Sequence, residues 1–167
     1  MRLTKDPTPE KVLDVVRASG ADIVVLVDAR DDRWRGVLAA MGELYPHRAP
    51  EGWRDGAPVL LFSRAPIVAA RVERPTGRRP YLVAEVSAGG GVVTVAGVHP
   101  PSPTDPGDTR RRNRQLDHIA TTVEDTARPL IVVGDLNTSP WSPHFRDLLT
   151  ATGLRNAAAG QGWIPTW

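Results

Sequence analysis

The sequence predicts an α+β domain. Short apolar runs of strand length, at residues 21–27, 58–63, 92–98 and 130–133, are interleaved with stretches whose apolar residues recur at helical spacing. Gly89, Gly90 and Gly91 separate two strand-like segments as a hairpin turn does, with no Lys-Ser/Thr or helix start behind them to suggest a phosphate loop. No repeat, low-complexity tract or linker divides the chain, so residues 1–167 read as a single domain with a real core.

Composition narrows the classes. Hydrophobic content of 41% and charged content of 24% are ordinary for a globular chain. No apolar run approaches the ~20 residues of a membrane span, and no charged-then-apolar signal opens the chain. Cys is absent, which excludes disulfides and thiolate metal sites. The net charge is only +2, and Lys5 and Lys11 are the only lysines among 21 basic residues. Arginine forks onto phosphate or carboxylate, yet a GC-rich coding sequence gives the same bias. So small an excess of base does not favour tight, sequence-independent nucleic-acid binding.

In chain order, residues 1–6 are polar. A helix is expected over 7–19, capped by Asp6 or Thr8, with Val12, Leu13, Val15 and Val16 as its stripe and Gly20 ending it. Residues 21–27, ADIVVLV, form a strand covered on both faces. A second helix follows at 31–41, where Trp34, Val37, Leu38 and Met41 pack. Residues 45–57 read as loop. A strand at 58–63 turns through Pro66 into another that ends at Val72. Residues 78–87 and 92–98 form a hairpin. A long helix, capped by Asp108 or Thr109, runs to Val123 on the stripe Leu116, Ile119, Ala120 and Val123. Arg110, Arg111, Arg112 and Arg114 give it a basic first turn, which opposes the helix dipole and reads as a solvated face. Residues 130–133 form a buried strand. A last helix spans 142–152, with Ser142 as cap, Pro143 in the first turn and Gly153 as stop.

Three strand ends carry polar groups. Asp135 and Asn137 follow the 130–133 strand two residues apart, a spacing that puts both side chains on one face of an extended segment. They make either an Asx-turn or a site in which Asp135 takes a proton and Asn137 donates to an anionic oxygen. Asp28 ends the 21–27 strand and can cap the helix from Asp31 or ligate a hard cation. His99 ends the 92–98 strand, either as a satisfied strand-end histidine or as part of the same site.

The longer patterns are specific in combination. ADIVVLVD, SRAPI, VHPPSP, GDLN and the PWSPHF, TGL and TW tail resemble the endonuclease/exonuclease/phosphatase superfamily, the deoxyribonuclease-I-like fold. Within it they look most like the membrane-anchored teicoplanin-resistance-type branch. Arg112-Asn113-Arg114-Gln115-Leu116 is loosely similar to the R-x-x-Q-L often found there. The resemblance implies an αββα four-layer sandwich and Mg2+- or Mn2+-dependent hydrolysis of phosphate esters by in-line attack of water. It implies Asp28 as the metal ligand, in the place of a Glu, and His99, Asp135 and Asn137 as catalytic residues. The expected partner is a phosphate-ester substrate, with nucleic acid not favoured, and membrane association only through segments outside this chain. On that branch the protein faces the extracytoplasmic side, whereas a chain complete as it stands is expected in the cytoplasm.

Two departures accompany the likeness. The family's first strand, with its Asn-Val, and its last, with Asp-His, have no counterpart here, and His47, His118 and His144 lie in other contexts. The sandwich is therefore expected to be incomplete, with exposed sheet edges and impaired activity. A non-catalytic binding module on the same fold, or a DNA-repair-type nuclease, is the alternative.

Overall fold

Period-2 alternation in five strands sorts the side chains into three separate cores, and those cores define the layers. The computed structural model describes residues 8–29, 34–51, 59–75, 79–124, 126 and 129–161. Its elements are α1 (Pro9–Ser19), β1 (Ile23–Val27), α2 (Arg35–Leu44), β2 (His47–Ala49), β3 (Val59–Ser63), β4 (Ile67–Glu73), β5 (Tyr81–Ala88), β6 (Gly91–Val98), α3 (Pro106–Glu124), β7 (Leu130–Gly134) and α4 (Pro143–Thr152). One sheet has the order β1-β3-β2 and the other β4-β5-β6-β7.

In β3, Leu60 and Phe62 point to α1 and α2, where they meet Val16, Val37, Leu38 and Met41. Val59 and Leu61, the alternate residues, point the other way and pack with Leu82, Ala84, Val86 and Val95 of the second sheet. Tyr81, Val83, Ala96 and Val98 leave the far face of that sheet to meet Leu116, Ile119, Val123 and Leu148 of α3 and α4. The layers are therefore helix, sheet, sheet, helix, as the resemblance implied. Gly97 sits on the face between the sheets, where a Cβ would come within 2.7 Å of Val59 Cγ1. Its missing side chain lets the two sheets approach there.

Most expected elements are present, with shifted ends. The start of the second helix at Asp31 and the first residue of the 58–63 strand lie outside the described residues, as do Asp6, Arg78 and the terminal TW. The α2 helix runs through Gly42 to Leu44, three residues past the expected stop at Met41, and Tyr45 N–H closes it on the Met41 carbonyl. Burial of Met41 and Tyr45 outweighs the ~1 kcal/mol that an internal glycine costs. The expected 45–57 loop contains β2, paired antiparallel with β3. The long helix begins at Pro106, not at Asp108. Its cap is Asp105, whose Oδ1 accepts the Asp108 N–H at 2.8 Å; that bond holds the Asp105 carboxyl below its usual range.

The strand before GDLN is not fully buried. Ile131 is 49% exposed and Val133 38%, because β7 is the outer strand of its sheet among the described residues. β1 is likewise an outer strand, and all five of its residues are half-buried. No helix among the described residues is long and apolar enough to cross a membrane.

The junction of β6 and β7 aligns the two loops that leave these strands. The strands are parallel, with Val98 opposite Gly134. Gly134 has φ 139°, and a Cβ there would collide with the Val98 carbonyl oxygen. No other residue type fits without moving a strand. Gly134→Ala should therefore destabilise the fold by more than about 3 kcal/mol in urea unfolding; a loss under about 1 kcal/mol would contradict this packing.

Tyr81 ties β5 to α3. Its buried hydroxyl donates to Thr122 Oγ1 at 2.8 Å and lies 3.0 Å from His118 Nδ1. Burial is the main reason the phenol is raised from 10.0 to about 12. Between those values the unfolded chain holds fewer protons than the folded one, so the stability this group confers falls as pH climbs from about 10 to about 12. Tyr81→Phe should remove that part of the alkaline slope, read from urea midpoints across the range. An identical slope in both proteins would refute it.

Candidate active site at the strand ends

The register of β6 and β7 makes His99 and Asp135 the next residues along two neighbouring parallel strands. Parallel neighbours are about 4.8 Å apart, so their side chains meet. His99 Nε2 lies 4.0 Å from Asp135 Oδ2. The other ring nitrogen, Nδ1, lies 3.4 Å from Asp28 Oδ2, although Asp28 comes from the other sheet. The imidazole is buried, 5% exposed, while the two carboxylates flanking it are half open to solvent.

Three of the four expected residues thus form one row, Asp28–His99–Asp135. Asn137 joins it through Asp135, whose Oδ1 accepts the Asn137 backbone N–H at 2.9 Å. This is an Asx-turn, the first of the two expected readings of the pair. One carboxylate oxygen shapes the loop, and the other faces the imidazole. Asn137 is in the left-handed region, φ 51°, which Asn tolerates better than most residues. Its side chain is partly committed: Nδ2 donates to the Pro100 carbonyl at 2.9 Å, and Oδ1 accepts from Ser102 Oγ at 3.1 Å. An amide NH2 has two hydrogens, so one bond to Pro100 does not exhaust it.

Two arginines not singled out as site residues stand at or beside this row. Arg79, just before β5, places Nη1 3.4 Å from His99 Nδ1 and 3.7 Å from Asp28 Oδ1. Two tautomers satisfy the geometry. In one, Nδ1–H faces Asp28; in the other, Nδ1 accepts from Arg79 and Nε2–H faces Asp135. Arg112 was expected on a solvated basic turn, and here the structure corrects the expectation: it is buried, 8% exposed. Its Nη1 donates to the Asn137 carbonyl at 2.6 Å and its Nε to Asn113 Oδ1 at 2.7 Å. The signal was present. Arg112 stands four residues before Leu116 and seven before Ile119, on the core stripe of α3, whereas Arg110 and Arg114 do not and are exposed. Arg79 had no such periodic signal, because the tertiary packing of three elements brings it in.

Asp28 also has a left-handed backbone, φ 58°. The alternative role as cap of the following helix falls on residues 31–33, outside those described. Among the described residues no group of three or more His, Cys, Asp or Glu side chains is placed to hold a metal. The donors that do stand in the site are the carboxylates of Asp28 and Asp135. They face opposite nitrogens of the His99 ring, so each is a separate hard-oxygen donor. Mg2+ is held through one or two carboxylates plus water and phosphate oxygens, and a single carboxylate of this kind is compatible with that cation.

Comparison with known proteins agrees with the architecture. The profile of the Endonuclease/Exonuclease/phosphatase family matches residues 3–167. Among solved structures, sphingomyelinase C from Streptomyces griseocarneus is similar at TM-score 0.72 and 22% identity, covering 90% of this chain and 63% of that one. A beta toxin variant from Staphylococcus aureus with bound magnesium ions is similar at TM-score 0.73 and 18% identity, with 89% and 63% covered. TDP2 from D. rerio, complexed with single strand DNA product, is similar at TM-score 0.65 and 18% identity, with 84% and 57% covered. The chain thus spans about three fifths of the length of these structures. No curated protein matches its sequence.

The division of labour within Asp135 is testable on stability. Asp135→Asn keeps an acceptor for the Asn137 N–H and should unfold within about 0.5 kcal/mol of the parent in urea. Asp135→Ala loses that bond and should cost about 1 kcal/mol more. Equal losses in the two variants would show that the Asx-turn does not hold this loop.

Proposed function

The chain belongs to the endonuclease/exonuclease/phosphatase family, and from that premise we propose that its strand-end row is a metal-assisted phosphoesterase site. The observation that carries the reading is the buried imidazole of His99 set between the carboxylates of Asp28 and Asp135.

Asp135 is the base. Its Oδ1 is held by the Asx-turn, which leaves Oδ2 to orient a water and take its proton. The water oxygen forms a new bond to phosphorus as the ester P–O bond breaks, and the departing oxygen recovers a proton from solvent. His99, Arg79 and the second amide hydrogen of Asn137 hold the charge that develops on the phosphoryl oxygens. Arg79 suits that task because its guanidinium lies within reach of both His99 and Asp28 and can fork onto phosphate oxygens. Asp28 is the carboxylate placed to hold Mg2+ or Mn2+, which when bound would polarise a phosphoryl oxygen.

Hydrolysis of bis(p-nitrophenyl) phosphate with Mg2+ or Mn2+ tests the reading. Turnover should vanish in EDTA and return with added metal. Asp135→Asn and His99→Gln should each lower kcat on the order of 100-fold or more. Turnover indifferent to EDTA, or an Asp135→Asn variant as fast as the parent, would sink it. Binding of the ester without turnover would leave a non-catalytic module as the correct reading.

A further inference from the structure

We infer that α3 is the positioning rib of the site, with Arg112 and Gln115 holding its two halves by their backbone carbonyls. This rests on the phosphoesterase reading above for its kinetic consequences, though not for its geometry.

Arg112 and Gln115 are three residues apart, so they project from one face of the helix. That face is turned inward: Gln115 is fully buried and Arg112 nearly so. Gln115 Nε2 donates to the Arg79 carbonyl at 2.9 Å. Arg112 Nη1 donates to the Asn137 carbonyl at 2.6 Å. The first bond fixes the residue whose guanidinium reaches His99 and Asp28. The second fixes the loop that carries Asp135 and Asn137.

The chemistry of Arg112 is unusual for a purely structural residue. A buried guanidinium is costly unless its charge is answered. Both of its hydrogen-bond acceptors are neutral oxygens, the Asn113 amide and the Asn137 carbonyl. A charged donor makes a stronger bond to a carbonyl than a neutral one does, and it is aimed at a residue whose φ of 51° needs outside support to persist. Asn113 completes the arrangement by bracing the guanidinium at Nε. A helix laid across the backs of β5, β6 and β7 thereby sets the distance between the arginine side and the carboxylate side of the row.

The test uses the full chain with Arg112→Met, Arg112→Lys and Gln115→Met, each read by kcat and KM on bis(p-nitrophenyl) phosphate, by melting temperature, and by the backbone amide resonance of Asn137. Arg112→Met should lower kcat on the order of 10- to 100-fold, with KM changed less than about threefold, and should move the Asn137 amide. Arg112→Lys keeps a charged donor without the Nε brace, so its kcat should fall between the two. Gln115→Met should lower kcat by roughly tenfold and leave the Asn137 amide in place. A lower melting temperature with unchanged kcat and an unmoved amide would overturn the inference. If Arg112→Met fails to fold, parent-like kcat in both Arg112→Lys and Gln115→Met overturns it equally. If the parent shows no turnover that Asp135→Asn removes, the phosphoesterase reading has failed by itself. The Asn137 amide then decides the positioning role alone: shifted in Arg112→Lys supports it, unshifted overturns it.

Discussion

The tightest constraint among the described glycines is the contact of Gly134 with the Val98 carbonyl, where β6 and β7 run side by side. Everything polar at this end of the sandwich is spaced from it. With Val98 and Gly134 opposed, His99 and Asp135 must leave the sheet as neighbours, one strand spacing apart. A side chain at Gly134 would force the strands apart, and the imidazole and the carboxylate with them. The second sheet is brought in by a similar device. Gly97 lies one residue before Val98 and leaves room for Val25 and Val59 to press in from the facing sheet. Val25 is on β1, and Asp28 is the residue after β1 ends. Two glycines, neither of them chemical participants, thus set both separations in the row Asp28–His99–Asp135.

That row is held against a backbone cost. Asp28 and Asn137 are the two non-glycine residues with positive φ among the described residues, and both belong to the site. Such conformations cost on the order of 1 kcal/mol or more each, and they persist only where surrounding contacts over-determine them. At Asn137 those contacts can be named: Asp135 and Arg112 on its backbone, Pro100 and Ser102 on its side chain. At Asp28 the carboxylate faces both Arg79 and His99. Polar pairing rather than apolar burial maintains the loops, which is why residues half open to solvent can be so well placed.

The layering was legible in the sequence because it depends on local signals. Apolar runs and period-2 alternation mark β1, β3, β6 and β7, and the glycine triplet marks the β5–β6 hairpin. What escaped was set by distant partners. β2 has the sequence His-Arg-Ala, with no apolar run, and exists because β3 offers it an edge. Asp105 caps α3 although Pro106 and Gly107 follow it, residues that read as loop until the Asp108 N–H needs an acceptor. The strand at Leu130 to Gly134 looks buried from composition alone, yet a run of β-branched residues is equally at home on an outer strand, with Leu130 and Val132 covered by the helices and Ile131 and Val133 left open. Of the site, Asp28, His99, Asp135 and Asn137 could be chosen because each ends a recognisable strand. Arg79 could not, since its place follows from the packing of β5, β6 and β1 together.

A turn residue and a site residue are usually weighed as rivals, and Asp135 shows why that opposition fails here. A carboxylate has two oxygens, and a turn needs only one. Oδ1 closes the Asx-turn, and in doing so it removes the rotational freedom that would otherwise let Oδ2 swing away from His99. On the proposed reading, the structural use is therefore a condition of the chemical one. Arg112 repeats the logic one layer further out, since a guanidinium on the core stripe of a helix is a folding residue by burial and yet bears on the loop that carries the carboxylate. In this fold the polar residues that stabilise the strand-end loops and those that could meet a phosphoryl group are the same residues, or their immediate hydrogen-bonding partners. A substitution that leaves the layers intact can therefore still disarm the site, if it lets a single strand-end loop relax.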